Sequence, residues 1–312
     1  MTVFLSSLSQ IAFLLLLIAI GYAVLRLKVV GKDAAKLLSA LENNVFIPAL
    51  VLGTFMKYFT PQSIQTSGSF LLCGLVVVVI GIPIAVGISR LCTKDGYMRK
   101  IYTYGLAFSN FGFMGNAVVQ ALFPDVFLNY LIYVLPFWFF IYLWGVPALL
   151  LPAGEGKRSL KQRLKPLLNP MFIAVILGAV LGVAQVPVPE FISSAVDTLG
   201  SCMSPVAMLL TGVTIAGLDL KSMLSKASVY VVSIIRLVAI PLVAIAVLIF
   251  VPISYELKLC TVCALAMPLG LSTIVVPAAY GLDTSAAAGM ALVSHVLSIV
   301  TMPFVFWLFQ MI

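Results

Sequence analysis

Long apolar runs, separated by short charged connections, organise the whole chain. They cover roughly 7–26, 35–56, 67–89, 101–121, 127–150, 170–186, 191–217, 228–251, 258–280 and 285–309. A helix needs ~20 apolar residues to cross hydrocarbon, so the pattern predicts ten membrane spans. Two of the runs are interrupted: Ser109-Asn110-Phe111-Gly112-Phe113-Met114-Gly115-Asn116 in the fourth and Met267-Pro268-Leu269-Gly270-Leu271-Ser272-Thr273 in the ninth. Both place glycine with small, amide or proline residues where a lipid-facing helix carries leucine and valine. Irregular backbone at membrane depth survives only where protein buries it or where it lines a wet cavity. A pair of interrupted spans at matching positions of two halves points to a transporter binding site.

Composition agrees with lipid as the solvent. Of the 312 residues, 62% are hydrophobic and 9% charged, and the mean hydropathy is +1.19. A soluble domain carries roughly 25% charged residues. The net charge of +8 would suggest nucleic acid if it were clustered, but its placement excludes that partner and reads as topology. Arg26, Lys28, Lys32, Lys36, Arg90, Lys94, Arg99, Lys100, Lys157, Arg158, Lys161, Arg163, Lys165, Lys221 and Lys226 all fall in odd-numbered connections, against Lys57 and Lys258 in even ones. The excess of Lys and Arg marks the cytoplasmic side. Both termini are therefore expected outside, in a multi-pass protein of the cytoplasmic membrane. The first apolar run has no basic segment before it and no small-x-small cleavage site before Arg26, so it reads as a span rather than a cleaved signal.

The halves repeat. Residues 1–151 hold five spans, 152–169 form a cytoplasmic linker, and 170–312 hold five more. An odd number of spans per half gives the halves opposite orientation. Phe46-Ile47-Pro48-Ala49-Leu50 parallels Met203-Ser204-Pro205-Val206-Ala207 at an offset of 157, and the two breaks align at offsets of 156 to 158. The expected architecture is all-α, with two inverted five-helix repeats whose fourth and ninth helices are broken and cross at mid-membrane.

The breaks carry the candidate chemistry. A broken helix exposes N–H groups at the start of its second half, and these attract anions. Amides and hydroxyls beside them add hydrogen bonds without a fixed charge, which suits an anion that must also leave. The candidate binding residues are Asn110, Gly112, Gly115 and Asn116 from the first break and Pro268, Gly270, Ser272 and Thr273 from the second. The glycines would let backbone approach a ligand closely. Candidates for a coupling ion, Na+ or H+, are Glu42, Asn43 and Asn44 in span 2, Asp197 in span 7 and the single histidine, His295. An ionisable group at membrane depth is a functional candidate by default, and histidine titrates nearest neutrality.

Several of these segments resemble the auxin efflux carrier family, which includes the plant PIN-type carriers and many bacterial permeases. The resemblance rests on Ser109 to Gly115, Met267-Pro268, Tyr280-Gly281-Leu282-Asp283, Leu297-Ser298-Ile299-Val300-Thr301-Met302-Pro303 and Asn44-Val45-Phe46-Ile47-Pro48-Ala49-Leu50. It implies the crossed-helix fold of sodium/proton antiporters, movement of a small organic carboxylate, and an elevator-like mechanism. Relatives can form dimers, so a homodimer is a candidate assembly. The chain departs from the family at the first break, where Ala117 stands in the place of the usual proline. At the second, Ser272 and Thr273 stand where relatives often carry asparagine or proline. His295 replaces a small polar residue. These departures leave the substrate's identity open.

Other residues bear on competing readings. Arg236 in span 8 is expected to snorkel to the interface, with a pairing to Asp219 as the alternative. Trp138, Trp144 and Trp307, with Tyr102, Tyr130 and Tyr133, are expected in interfacial belts. Gly178 and Gly182 form a G-x-x-x-G helix-packing motif. Cys260 and Cys263, in a C-x-x-C inside an apolar span, read as packing residues. No P-loop, metal-ligand cluster or Ser-His-Asp arrangement is present, so neither ATP-driven transport, a metal cofactor nor an enzyme is expected. A sodium/proton antiporter would want an Asp-Asp or Asn-Asp pair at the crossover, and none is present. A transporter-fold sensor is the remaining alternative.

Overall fold

The computed structural model describes residues 2–31, 33–152, 168–217 and 227–311. These residues are helical apart from turns and a single antiparallel bridge. In chain order the helices are α1 (Thr2–Arg26), α2 (Ala34–Leu41), α3 (Ile47–Tyr58), α4 (Pro61–Cys92), α5 (Gly96–Ala107), α6 (Asn116–Leu122), α7 (Phe127–Phe140) and α8 (Pro170–Ala184). There follow α9 (Glu190–Ser201), α10 (Met203–Ala216), α11 (Ala227–Ile234), α12 (Ile240–Phe250), α13 (Tyr255–Ala266), α14 (Ser272–Ala279) and α15 (Ser285–Gln310). Seven helical stretches among the described residues are long and apolar enough to cross a membrane. The other three expected spans are α8, only 15 residues long, and the two interrupted ones, each split into pieces too short to qualify.

Local chemistry sets the ends of these helices. Thr60, Asp95, Asn169 and Ser254 each precede a helix, and the side chain of each accepts from a backbone N–H three residues on. Such caps satisfy donors that the first turn leaves orphaned. Four stretches run as widened π-turns: Glu42–Phe46, Phe111–Gly115, Ile141–Leu150 and Ile235–Ala239. Two of them end two residues before Pro48 and Pro241, and a third contains Pro147. Proline has no N–H and its ring collides with the carbonyl four residues back. A wider turn at that point removes the collision.

The helices pack in two groups. In the first, α1 lies along α10, α3 lies along α8 and α9, and α2 meets α10. In the second, α4 packs on α7 and α5, α11 on α15, and α12 on α13. Contacts between the groups run from α1 to α15 and α6, and from α10 to the Phe111–Gly115 turn. Close helix contacts in the first group depend on glycine. A Cβ on Gly21 would stand 2.3 Å from the Leu209 carbonyl oxygen, and one on Gly178 would stand 2.7 Å from Phe55 Cβ and 3.0 Å from the Leu52 carbonyl oxygen. Gly182 meets the Phe55 carbonyl oxygen in the same way, at 2.5 Å. The Gly178/Gly182 motif is thus a packing motif, as its spacing predicts. One face of α4 presents Leu71, Leu72, Leu75, Val76, Val79, Ile80 and Ile84 outward, as a lipid-facing surface requires.

Candidate functional site

Both breaks form and they meet. After α5 ends at Ala107, the chain runs extended through Phe108; after α13 ends at Ala266, it runs extended through Met267. The two extended pieces cross as an antiparallel bridge between Ser109 and Leu269. Asn110 N–H donates to the Pro268 carbonyl at 2.7 Å, and the Ser109 hydroxyl donates to the Ala264 carbonyl at 2.7 Å. Gly270 permits the crossing, because a Cβ there would lie 3.3 Å from the Ser109 carbonyl oxygen.

The last long helix holds both strands of the crossing with consecutive residues. Ser294 Oγ accepts from Leu269 N–H at 3.2 Å. Asn110 Nδ2 lies 3.1 Å from His295 Nε2, while His295 Nδ1 lies 2.7 Å from the Ala291 carbonyl oxygen. A carbonyl can only accept, so Nδ1 carries the proton and Nε2 accepts from the amide. Both ring nitrogens of this buried histidine are engaged in its neutral form.

Arg236 is the residue whose position differs most from expectation. Its side chain does not snorkel; it is 1% exposed. The guanidinium donates to the Leu106 carbonyl at 2.9 Å, to Leu265 at 2.9 Å, to Met267 at 3.2 Å and to Ala264 at 3.3 Å. One is at the end of α5 and three are at the end of α13. Broken helices leave such carbonyls without partners, and the planar fork of arginine can serve several at once. The alternative partner, Asp219, lies outside the described residues.

The remaining candidates divide by location. Asn116 begins α6, is 2% exposed, and its Oδ1 has no hydrogen-bond partner among the described residues. It borders a small cavity of about 10 Å³, with Ile47, Val51, Trp138 and Met171 among its walls. Ser272 begins α14, and its hydroxyl meets that of Tyr104. Thr273 is buried and donates to the Gly270 carbonyl at 2.8 Å. The space beside Gly112 and Gly115 belongs to protein: a Cβ would stand 2.4 Å from Trp138 Cζ2 and 2.2 Å from the Tyr130 hydroxyl, respectively. Trp138 therefore packs on the break (its ring is 5.1 Å from Phe111), and Trp144 packs on Phe108 at 6.4 Å. Both tryptophans thus pack on residues of the first break. The broken helix needs large rings to fill the room its glycines open.

The coupling-ion candidates are scattered. Asp197 pairs with Lys57 at 2.5 Å, and both are roughly half exposed. They line a cleft of about 200 Å³ between α3, α9 and Gln120 of α6. Asn43 and Asn44 are exposed and donate back to Ser39 and Ala40 of their own helix, at 2.7 and 2.8 Å. Glu42 is fully buried, and neither carboxylate oxygen has a hydrogen-bond partner among the described residues.

The sequence profile described as "Membrane transport protein", that of the auxin efflux carriers, matches residues 6–162 and 157–306. The chain belongs to this family. It is also similar to a protein of Methanothermobacter thermautotrophicus described as an uncharacterized transporter, with 23% identity over 309 residues. That alignment covers 96% of this chain and 98% of the archaeal protein.

In this auxin efflux carrier family member, then, Asn110, Pro268 and Gly270 converge on the crossing, with Ser272 and Thr273 at the start of one second half-helix and Asn116 one widened turn inside the other. His295 joins them from α15. Asp197, Asn43 and Asn44 do not. Arg236, Ser294 and Tyr104 complete the cluster and were not candidates. An arginine inside an apolar run was the one available signal for Arg236.

Proposed function

We propose that the protein is a secondary transporter that moves a small organic carboxylate across the cytoplasmic membrane, binding it at the crossing of the two broken helices. The observation that carries this reading is the position of Arg236. A helix end carries roughly half an elementary charge, negative at its C-terminus and positive at its N-terminus. Two C-terminal ends at the crossing contribute about one negative charge, which the guanidinium cancels. The N-terminal ends at Phe111 and Ser272 then leave a positive field of about one charge, with amide and hydroxyl groups at hand. That field favours an anion. It disfavours the sodium/proton antiporter, since the carbonyls a metal ion would take already hold a guanidinium.

Two inverted halves are supported by the packing. Gly21 against Leu209 and Gly178 against Leu52 are the same pair under an offset of 157, the offset that relates Pro48 to Pro205. The same exchange turns the α1–α10 contact into the α8–α3 contact, and α4–α7 into α11–α15. At this offset Asn116 corresponds to Thr273. Two packing groups with the crossing in one of them fit an elevator motion, in which α4–α7 and α11–α15 slide against α1–α3 and α8–α10.

The test is reconstitution of the purified protein into liposomes, followed by counterflow of labelled acetate, lactate, succinate and indole-3-acetate. Exchange of at least one acid, abolished in protein-free vesicles, is expected. Failure to exchange any organic anion, with sodium-for-proton exchange instead, would overturn the reading.

A further inference from the structure

We infer that Glu42 is a proton-binding site of this transporter, and that the proton it carries is what couples anion movement to a pH gradient. The inference rests on the transporter reading given above. Its structural basis is independent of the crossing.

Glu42 is the first residue of the widened turn between α2 and α3, and it is 0% exposed. The turn packs against α2, α3, α8, α9 and α10. Those elements offer it no counter-charge. On α2, Lys36 is exposed and six residues away. On α3, Lys57 is committed to Asp197, and Tyr58 is exposed. On α9 the ionisable groups are Glu190 and that same Asp197, both acidic; α8 and α10 contain none. Both carboxylate oxygens lack a donor among the described residues. A carboxylate in such surroundings sheds its charge rather than remaining ionised and unpaired. The protonated acid is the form this packing accommodates.

A metal cation fits the position less well. Sodium would require several oxygen ligands, and the neighbouring amides of Asn43 and Asn44 are exposed and turned back to their own helix. A proton needs only the carboxyl itself. The other titratable candidates are already occupied, Asp197 by Lys57 and His295 by Ala291 and Asn110. The location suits exchange as well. Glu42 lies near the end of its span that adjoins the basic first connection, and it sits where the α2–α3 segment meets α8, α9 and α10. A shift in that packing would open the carboxyl to water, let it release the proton as a carboxylate, and reclose once it has taken up another.

The first experiment needs no substrate. Infrared pH-difference spectra of the purified protein in lipid are expected to show a protonated carboxylic acid at neutral pH. The band should be missing in Glu42→Gln and displaced in Glu42→Asp, and Glu42→Gln should melt as wild type does because the amide mimics the neutral acid. Absence of the band in wild type, or its persistence in Glu42→Gln, overturns the assignment. The second experiment imposes an inward proton gradient on vesicles with labelled lactate or succinate. Wild type should accumulate label, while Glu42→Gln should exchange it without accumulating it. Accumulation undiminished in Glu42→Gln, or wild-type exchange indifferent to the gradient, overturns the coupling role. If wild type moves no acid at all, the transporter reading fails while the infrared result stands on its own.

Discussion

The Asn110 side-chain amide donates to Nε2 of His295 across 185 positions of sequence, at 3.1 Å. This bond anchors the first break to the longest uninterrupted helix of the second half. Because His295 Nδ1 is held by the Ala291 carbonyl at 2.7 Å, the ring is a neutral clamp that orients the Asn110 amide. The amide has a second N–H and a carbonyl oxygen beyond this bond, the groups through which the proposed binding would act.

Asn110→Ala should raise the half-saturation concentration for the transported carboxylate. A hydrogen bond to a charged group contributes about 1.5–3 kcal/mol, which corresponds to roughly 10- to 150-fold in affinity. Saturation of initial counterflow rates measures it. Wild-type affinity in a normally folded variant would remove Asn110 from the site.

His295→Gln should leave the pH dependence of uptake in place while weakening binding several-fold through the loosened Asn110 amide. The measurement is the uptake rate between pH 5 and 8, the range over which a free imidazole changes charge. A flattened profile would transfer the proton-carrying role from Glu42 to His295.

Arg236→Gln should unfold at a lower temperature and transport poorly. The shorter amide cannot reach four carbonyls, and each buried acceptor left without a donor costs about 1–3 kcal/mol. A drop in Tm of about 5–10 °C is expected from losses of that size. Arg236→Lys should fall between the two, since it keeps the charge and loses the fork. Light-scattering-monitored melting in detergent distinguishes the three proteins.

Gly21→Leu and Gly178→Leu should each destabilise the first packing group, by about 1–3 kcal/mol or more from overpacking. The losses should be similar in size, because the two glycines face equivalent backbone. Gly81→Ala is the control, having no atom within 4 Å of its would-be Cβ. Melting temperatures of the three variants test this.

Single cysteines at Lys94 and Lys57, in a background with the five native cysteines replaced, should label oppositely with an impermeant maleimide applied to intact cells. The excess of basic residues in odd connections predicts Lys57 outside and Lys94 inside. Labelling of Lys94→Cys from outside would invert the topology.

The breaks were legible because their residues are wrong for a lipid-facing helix in either half: Gly112, Gly115, Pro268 and Gly270 cannot all belong to an ordinary span. The glycine contacts of α1 with α10 and of α8 with α3 fall at the same offset of 157 as Pro48 and Pro205, a correspondence between contacts that no single segment of sequence displays. Arg236 was misread for a reason that sequence cannot resolve. A guanidinium in an apolar run either climbs to the interface or meets acceptors inside, and those acceptors are main-chain carbonyls freed by breaks 28 to 130 positions away. Backbone acceptors leave no mark on composition. The packing of Trp138 and Trp144 on Phe111 and Phe108 is equally invisible in composition, since it depends on a break elsewhere in the chain.

The four widened turns have a bearing on how related chains should be compared. A π-turn is one residue inserted into an otherwise regular coil, and everything beyond it is rotated by about 100°. Relatives without the extra residue will differ from this chain by single-position gaps deep inside hydrophobic stretches, where alignment usually forbids them. Removing one residue from Asn43–Phe46 would restore a plain coil and swing the Glu42 carboxyl to another face relative to α3, so a deletion scan of that stretch would convert a change of length into a change of which side chain looks inward.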